Sequence, residues 1–227
     1  RHWAERGMWP TRGLPLLHVP ASLLLVTAMQ VACFVSGASW GLGLRVPSGP
    51  EWPAQALTSL LAHADAPHLA GNLASQLALG GLVEGMHGSG RFAVVYAVGG
   101  ALGAACFRAA WRVTDGETER VLVGASPAVY ALMGAHSAHV ALNWSEAPLI
   151  RWLLVAAVAL TAAVDVALYF AYPLPNVAYS SHAGGAAFGA LVGVLVLRNV
   201  RVLEWERTLR RCAALLLLLG TCAVLVA

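Results

Sequence analysis

Gly124-Ala125-Ser126-Pro127-Ala128-Val129-Tyr130-Ala131-Leu132-Met133-Gly134 decides how this chain is read. The stretch sets a hydroxyl at the head of an apolar helix, and small neighbours leave that oxygen open to a reactant. Proline suits the first helical position, where its missing N–H costs nothing. It also disfavours helical geometry for the residue before it, so Ser126 is expected on the turn itself, with the helix starting at Pro127. A helix N-terminus offers unpaired N–H groups and a positive dipole end, which favour a developing oxyanion. A serine hydroxyl is a weak nucleophile and needs a base. Alone, the tetrapeptide reads as a helix N-cap just as well.

Composition sets the medium. Of 227 residues, 59% are hydrophobic and only 11% charged, with mean hydropathy +0.69. A soluble domain carries about a quarter charged residues, so the expected fold class is all-α, a polytopic membrane helix bundle. The fourteen basic residues are all arginine and lie scattered among loops, which argues against nucleic acid as a partner. Cys33, Cys106, Cys212 and Cys222 lie in apolar runs without a C-x-x-C pair, so neither a metal site nor a disulfide framework is expected. The chain opens at Arg1, as expected of a sequence lacking some N-terminal residues. No cleavable signal peptide is expected, because no small-residue cleavage site follows the first apolar run.

Seven spans are predicted, over 14–37, 66–83, 92–110, 126–143, 149–172, 182–197 and 209–227, each near the ~20 residues a bilayer core needs. A short helix is expected over 54–65, and irregular loops over 38–53, 84–91 and 111–123. The organisation expected is a polar segment (1–13), a helical core (14–197), and a basic linker with a last span (198–227). With the N-terminus inside, ten arginines fall on the cytoplasmic side and four on the other, the orientation favoured by the positive-inside rule. The heads of the fourth and sixth spans, with Ser126 and His182, then lie toward the exterior or lumen.

Three stretches supply polar groups near those outer ends. His68 and Asn72 are four apart and share a helix face. The second stretch is the Ser126 turn, with Tyr130 one turn below. In the third, His182 is followed by Gly185, Gly189 and Gly193 at four-residue spacing, a groove that lets another helix backbone approach closely. His63 reads as structural. His136 and His139 read as interior polar contacts rather than metal ligands, since no carboxylate or cysteine accompanies them. Asp165 is an intramembrane acid and so a functional candidate by default.

Together these stretches resemble the rhomboid family of intramembrane serine proteases, from about residue 54 to the end. The resemblance rests on H-x-x-x-N at His68–Asn72, L-V-E-G-M-H-G-S-G-R from Leu82 to Arg91, G-A-S followed by V-Y-A-L-M-G, and H-x-x-G-x-x-x-G from His182 to Gly189. The last span looks like the secretase-type branch of animals, with six core spans and one after them. The resemblance implies Ser126 as nucleophile and His182 as general base. It makes His68 and Asn72 oxyanion donors, with Tyr130, Gly185 and Gly189 supporting the dyad and Glu84 and Arg91 as structural loop residues. It implies no metal or organic cofactor. Substrates would be single-span membrane proteins, by default growth-factor-like precursors, in the Golgi or plasma membrane. Two positions depart from the family pattern: Pro127 stands where glycine is usual, and Glu51-Trp52-Pro53 where a Trp-Arg pair is common. Pro127 favours the alternative, an inactive rhomboid-like protein that binds transmembrane clients and controls their trafficking or degradation. A transporter is disfavoured by the lack of an inverted repeat.

Overall fold

A computed structural model describes residues 19–114, 116–145, 150–171, 178–199 and 202–227. The segment 1–13, the start of the first predicted span and the Asp165 side chain lie outside the described residues.

The first apolar helix is α1 (Ala21–Val35), followed by a short helix α2 (Ser39–Leu42) and a strand β1 (Leu44–Val46). Next come α3 (Trp52–Thr58), a 3₁₀ turn (Ser59–Leu61) and α4 (Ala66–His87). A continuous helix then runs over Ser89–Thr114. It comprises α5 (Ser89–Val94), a π-helical turn (Val95–Gly99) and α6 (Gly100–Thr114). After strand β2 (Arg120–Leu122), four helices follow: α7 (Ser126–Leu142), α8 (Ile150–Ala171), α9 (Tyr179–Val196) and α10 (Glu204–Val226). The helices over Ser89–Thr114, Tyr179–Val196 and Glu204–Val226 are each long and apolar enough to cross a bilayer.

Three expectations need correction. The chain is mostly helical, but the loops expected over 38–53 and 111–123 are not wholly irregular: β1 and β2 pair antiparallel, Leu44 opposite Leu122 and Val46 opposite Arg120. This pairing gives backbone groups of two interhelical loops partners that water would otherwise supply, and it seats Leu44, Val46 and Leu122 with Trp111 and Phe107 in a second apolar cluster. The loop expected over 84–91 shrinks to Gly88, whose φ of 89° lets α4 stop and α5 start at once. Helix α7 begins at Ser126, not Pro127, with Ala125 as the half-in residue before it. The missing proline N–H is an orphan anywhere in the first turn, so Pro127 fits there without opening the turn at Ser126.

Motif residues tie the helix ends. Glu84, fully buried at the foot of α4, accepts the N–H of Ser22 and Leu23 at 2.9 and 2.8 Å and the Ser89 hydroxyl. A carboxylate there satisfies orphan donors of α1 and faces its positive dipole end. Arg91 does the converse, with Nε donating to the Val196 carbonyl at the end of α9 (2.8 Å). In the interior, the Gln30 amide donates to Leu60 O and Tyr96 Oη and accepts from Gln76 Nε2 at 2.6 Å, pinning α1 to α4, α5–α6 and the 3₁₀ turn.

Helices α7 and α9 run parallel and nearly touch. A Cβ at Gly185 would stand 2.2 Å from Pro127 O, at Gly189 2.2 Å from Ala131 O, and at Gly193 2.9 Å from Ala135 Cα. The contact repeats in steps of four residues on both helices, so their register is constant. Gly134 of α7 returns the contact, its Cβ position lying 2.0 Å from Ala186 O. From the Ser89–Thr114 helix, Gly103 would place a Cβ 2.8 Å from Gly185 N, and Gly99 one 2.6 Å from Ala131 Cβ and 3.3 Å from Gly189 Cα. Helix α9 thus packs backbone to backbone against both α7 and the Ser89–Thr114 helix, which also touch each other at Gly99 and Ala131.

Candidate active site

One turn above Gly185, the α7–α9 register delivers His182 to Ser126. His182 Nε2 lies 3.0 Å from Ser126 Oγ, an ordinary hydrogen-bonding distance. Both side chains are half-buried. Tyr130, one turn into α7, stacks on the imidazole with centroids 4.3 Å apart and planes 9° from parallel. Tyr179 meets the same ring edge-on at 6.2 Å. The two rings limit the orientations open to His182, which keeps Nε2 toward the serine.

Helix α4 brings the second set. Asp65 caps it, accepting the His68 N–H at 2.7 Å. His68 and Asn72 then lean over the loop before α7. A Cβ at Gly124 would stand 2.8 Å from His68 Nε2 and 3.6 Å from Asn72 Nδ2. Gly124 also has φ of 134°, so only glycine meets both demands of this position. The Asn72 amide nitrogen is buried with no hydrogen-bond acceptor among the described residues. A buried unpaired donor is costly in a resting protein and useful where negative charge develops during a reaction.

The turn itself is fixed from the 3₁₀ segment. Ser59 O accepts the Gly124 N–H at 3.1 Å, and His63 Nε2 accepts the Ala125 N–H at 3.4 Å. His63 lies outside the helices, and its pKa falls from 6.5 to about 4. Burial is the main cause and the His68 ring adds to it, against a smaller upward pull from the Leu61 backbone and Asp65.

The structure therefore gathers Ser126, His182, His68, Asn72, Tyr130, Gly185 and Gly189 around one end of the bundle. It does not bring His136 or His139 there. His136 Nε2 lies 3.0 Å from Leu79 O, and His139 meets His87 edge-on. Among the described residues no three His, Cys, Asp or Glu side chains converge on a metal-sized site, and the four cysteines are free thiols. Sequence reasoning missed Gly134, Gly99 and Gly103, whose small-residue spacing on partner helices was a usable signal. It also missed Arg108, which anchors the loop around Ser48 and Trp52 from α6. Its guanidinium sits 4.5 Å from the Trp52 ring and its Nε donates to Ser48 at 2.8 Å.

Parallel apolar helices with a serine–histidine pair between two of them define a membrane protein with hydrolase-like geometry at one end of its bundle. Comparison with known proteins narrows the class. The Rhomboid domain profile matches residues 51–199. Human Rhomboid-related protein 3 is 31% identical over 205 residues, covering 79% of this chain and 49% of the relative. Rhomboid-related protein 1 of Caenorhabditis elegans is 32% identical over 220 residues (84% and 59%), and mouse Rhomboid-related protein 2 is 28% identical over 203 (78% and 64%). This chain belongs to the rhomboid family, integral membrane proteins that are in general serine proteases acting on transmembrane substrates. It spans between about half and two thirds of the length of these relatives.

Proposed function

We propose that the chain is an intramembrane serine endopeptidase that cuts single-span membrane proteins near the outer or lumenal face. The observation that carries this reading is the 3.0 Å contact between Ser126 Oγ and His182 Nε2. In the reaction, neutral His182 takes the hydroxyl proton as Oγ attacks the scissile carbonyl. The carbonyl oxygen, now negative, meets Asn72 Nδ2, the His68 ring and the Ser126 N–H. Each such donor is worth roughly 3–4 kcal/mol. His182 then gives its proton to the leaving amine, and the C–N bond breaks. Water attacks the acyl-serine, again through His182, and releases the second product. None of these steps uses a residue-127 N–H, the group that Pro127 lacks.

In this reading α1, α4, α5–α6, α7, α8 and α9 are a six-span core within 14–197, and α10 is a seventh span beyond the 198–203 linker. The arginine count puts the N-terminal side in the cytoplasm and the dyad outside. By family branch, growth-factor-like precursors and the Golgi or plasma membrane are the substrate class and location proposed.

Co-expression with a single-span reporter tests the reading: Ser126→Ala abolishes cleavage, and unchanged cleavage sinks it. Pro127 favours the competing reading, a rhomboid that binds transmembrane clients without cutting them. Co-purification of an intact client, with no cleavage by folded wild type, would establish that reading instead.

A further inference from the structure

We infer that His63 is a positioning residue for the serine turn: one imidazole holds the backbone beside Ser126 and the ring of His68 in a single arrangement. The inference rests on the protease reading above and adds a part to its machinery.

His63 sits between the 3₁₀ turn and α4 and is 1% exposed. Its backbone is fixed from below, the N–H donating to Ser39 Oγ of α2 at 3.2 Å. Its Nε2 accepts the Ala125 N–H. Its ring meets His68 edge-on, centroids 5.2 Å apart at 70°. One side chain therefore touches both the Gly124–Ala125 peptide unit, one unit before the nucleophile, and the oxyanion donor on α4.

The amide inventory shows why this matters in this chain. In the turn 124–127, the Gly124 N–H goes to Ser59 O and the Ala125 N–H to His63. Pro127 has none. Ser126 is left as the only residue of the turn whose N–H can meet an oxyanion. The direction of that N–H follows the peptide plane between Ala125 and Ser126. That plane is held on one side by the Ala125 carbonyl, which accepts the Ala128 and Val129 N–H at 2.9 and 3.0 Å, and on the other by His63, which fixes the adjoining Gly124–Ala125 plane and so the φ of Ala125 between the two. Where glycine follows the serine, a further backbone N–H is present; here the geometry of residues 125–126 has no such reserve. Only a neutral ring with its proton on Nδ1 can accept at Nε2, and burial keeps His63 neutral.

The test uses the full chain in proteoliposomes, with His63→Leu to remove the acceptor and His63→Gln to restore one near the Nε2 position. Two quantities are read: amide exchange at Ala125 by mass spectrometry, and kcat and KM on a single-span reporter. In His63→Leu, Ala125 exchange accelerates and kcat falls about 10- to 100-fold, the scale of a sub-ångström to 1 Å misplacement, while KM stays within about twofold because the reporter does not touch His63. His63→Gln restores both. Unchanged Ala125 exchange in His63→Leu overturns the inference whatever the activity does, and so does a kcat close to wild type. If His63→Leu fails to insert, His63→Gln against His63→Asn carries the test, since asparagine is too short to reach Ala125; equal kcat in those two overturns the inference. A wild type that never cleaves, but whose Ala125 exchange responds to His63, overturns the protease reading and leaves the backbone contact standing.

Discussion

Gly189→Ala is the smallest change that should part His182 from Ser126. A Cβ at Gly189 would stand 2.2 Å from Ala131 O, 2.4 Å from Ala131 Cα and 2.6 Å from Ala131 C. All three are backbone atoms, so no rotamer change relieves the clash. Ordinary carbon–carbon contact is about 3.5–4.0 Å, so α9 must retreat from α7 by about 1 Å or more. His182 lies seven residues above, two turns along the same helix, or about 10 Å. A rigid retreat of that size stretches Nε2–Oγ from 3.0 Å to about 4 Å, beyond hydrogen-bonding distance. Misplacement on that scale costs on the order of a hundredfold in rate. At Gly193 the nearest atom is Ala135 Cα at 2.9 Å, so Gly193→Ala asks for about half the retreat, a further turn from the dyad. Lipid accepts the added methyl at either position, so insertion should be preserved. The assay is reporter cleavage normalised to inserted protein. Gly189→Ala should fall well below Gly193→Ala. Equal activity of the two, or Gly189→Ala at wild-type level, would show that the α7–α9 register does not set the dyad.

Two further predictions concern stability. Glu84→Ala strands the Ser22 and Leu23 amides at the head of α1 and should lower stability by about 3 kcal/mol, at ~1–3 per unpaired buried donor; denaturation of the purified protein measures it, and a loss below about 0.5 kcal/mol contradicts the capping role. His63 gives a pH dependence with a definite sign. Its pKa is depressed from 6.5 to about 4 by burial and His68, against the smaller opposing pull of the Leu61 backbone and Asp65. Between those values the unfolded chain binds a proton that the folded chain does not, so this contribution is complete above pH 6.5 and is lost as pH falls toward 4. Thermal midpoints in detergent should therefore drop more steeply across that window for wild type than for His63→Gln, and parallel curves would contradict it.

Much of the site was legible because its chemistry is written in short local spacings. His68 and Asn72 are one turn apart, Ser126 heads an apolar run, and His182 opens a glycine row. The groove was legible from one side only: Gly185, Gly189 and Gly193 announce a close approach, but not that Gly134, Gly99 and Gly103 receive it. The β1–β2 pairing was not legible, since three-residue strands far apart in sequence carry no periodicity. The proline rule misplaced the start of α7 by one residue. It describes a preference for the residue before proline, and Ser126 shows that the first turn of a helix tolerates the exception. His63 was read as merely structural because its partner is a backbone amide, which leaves no mark in the sequence.

Mass-spectrometric mapping of a fluorophosphonate adduct on the full chain tests the central claim most directly. We predict a single adduct on Ser126 in wild type, lost in Ser126→Ala and strongly reduced in His182→Ala, because the hydroxyl needs its base. Folded, membrane-inserted wild type that carries no adduct at Ser126, or labels equally without His182, would contradict the serine–histidine mechanism.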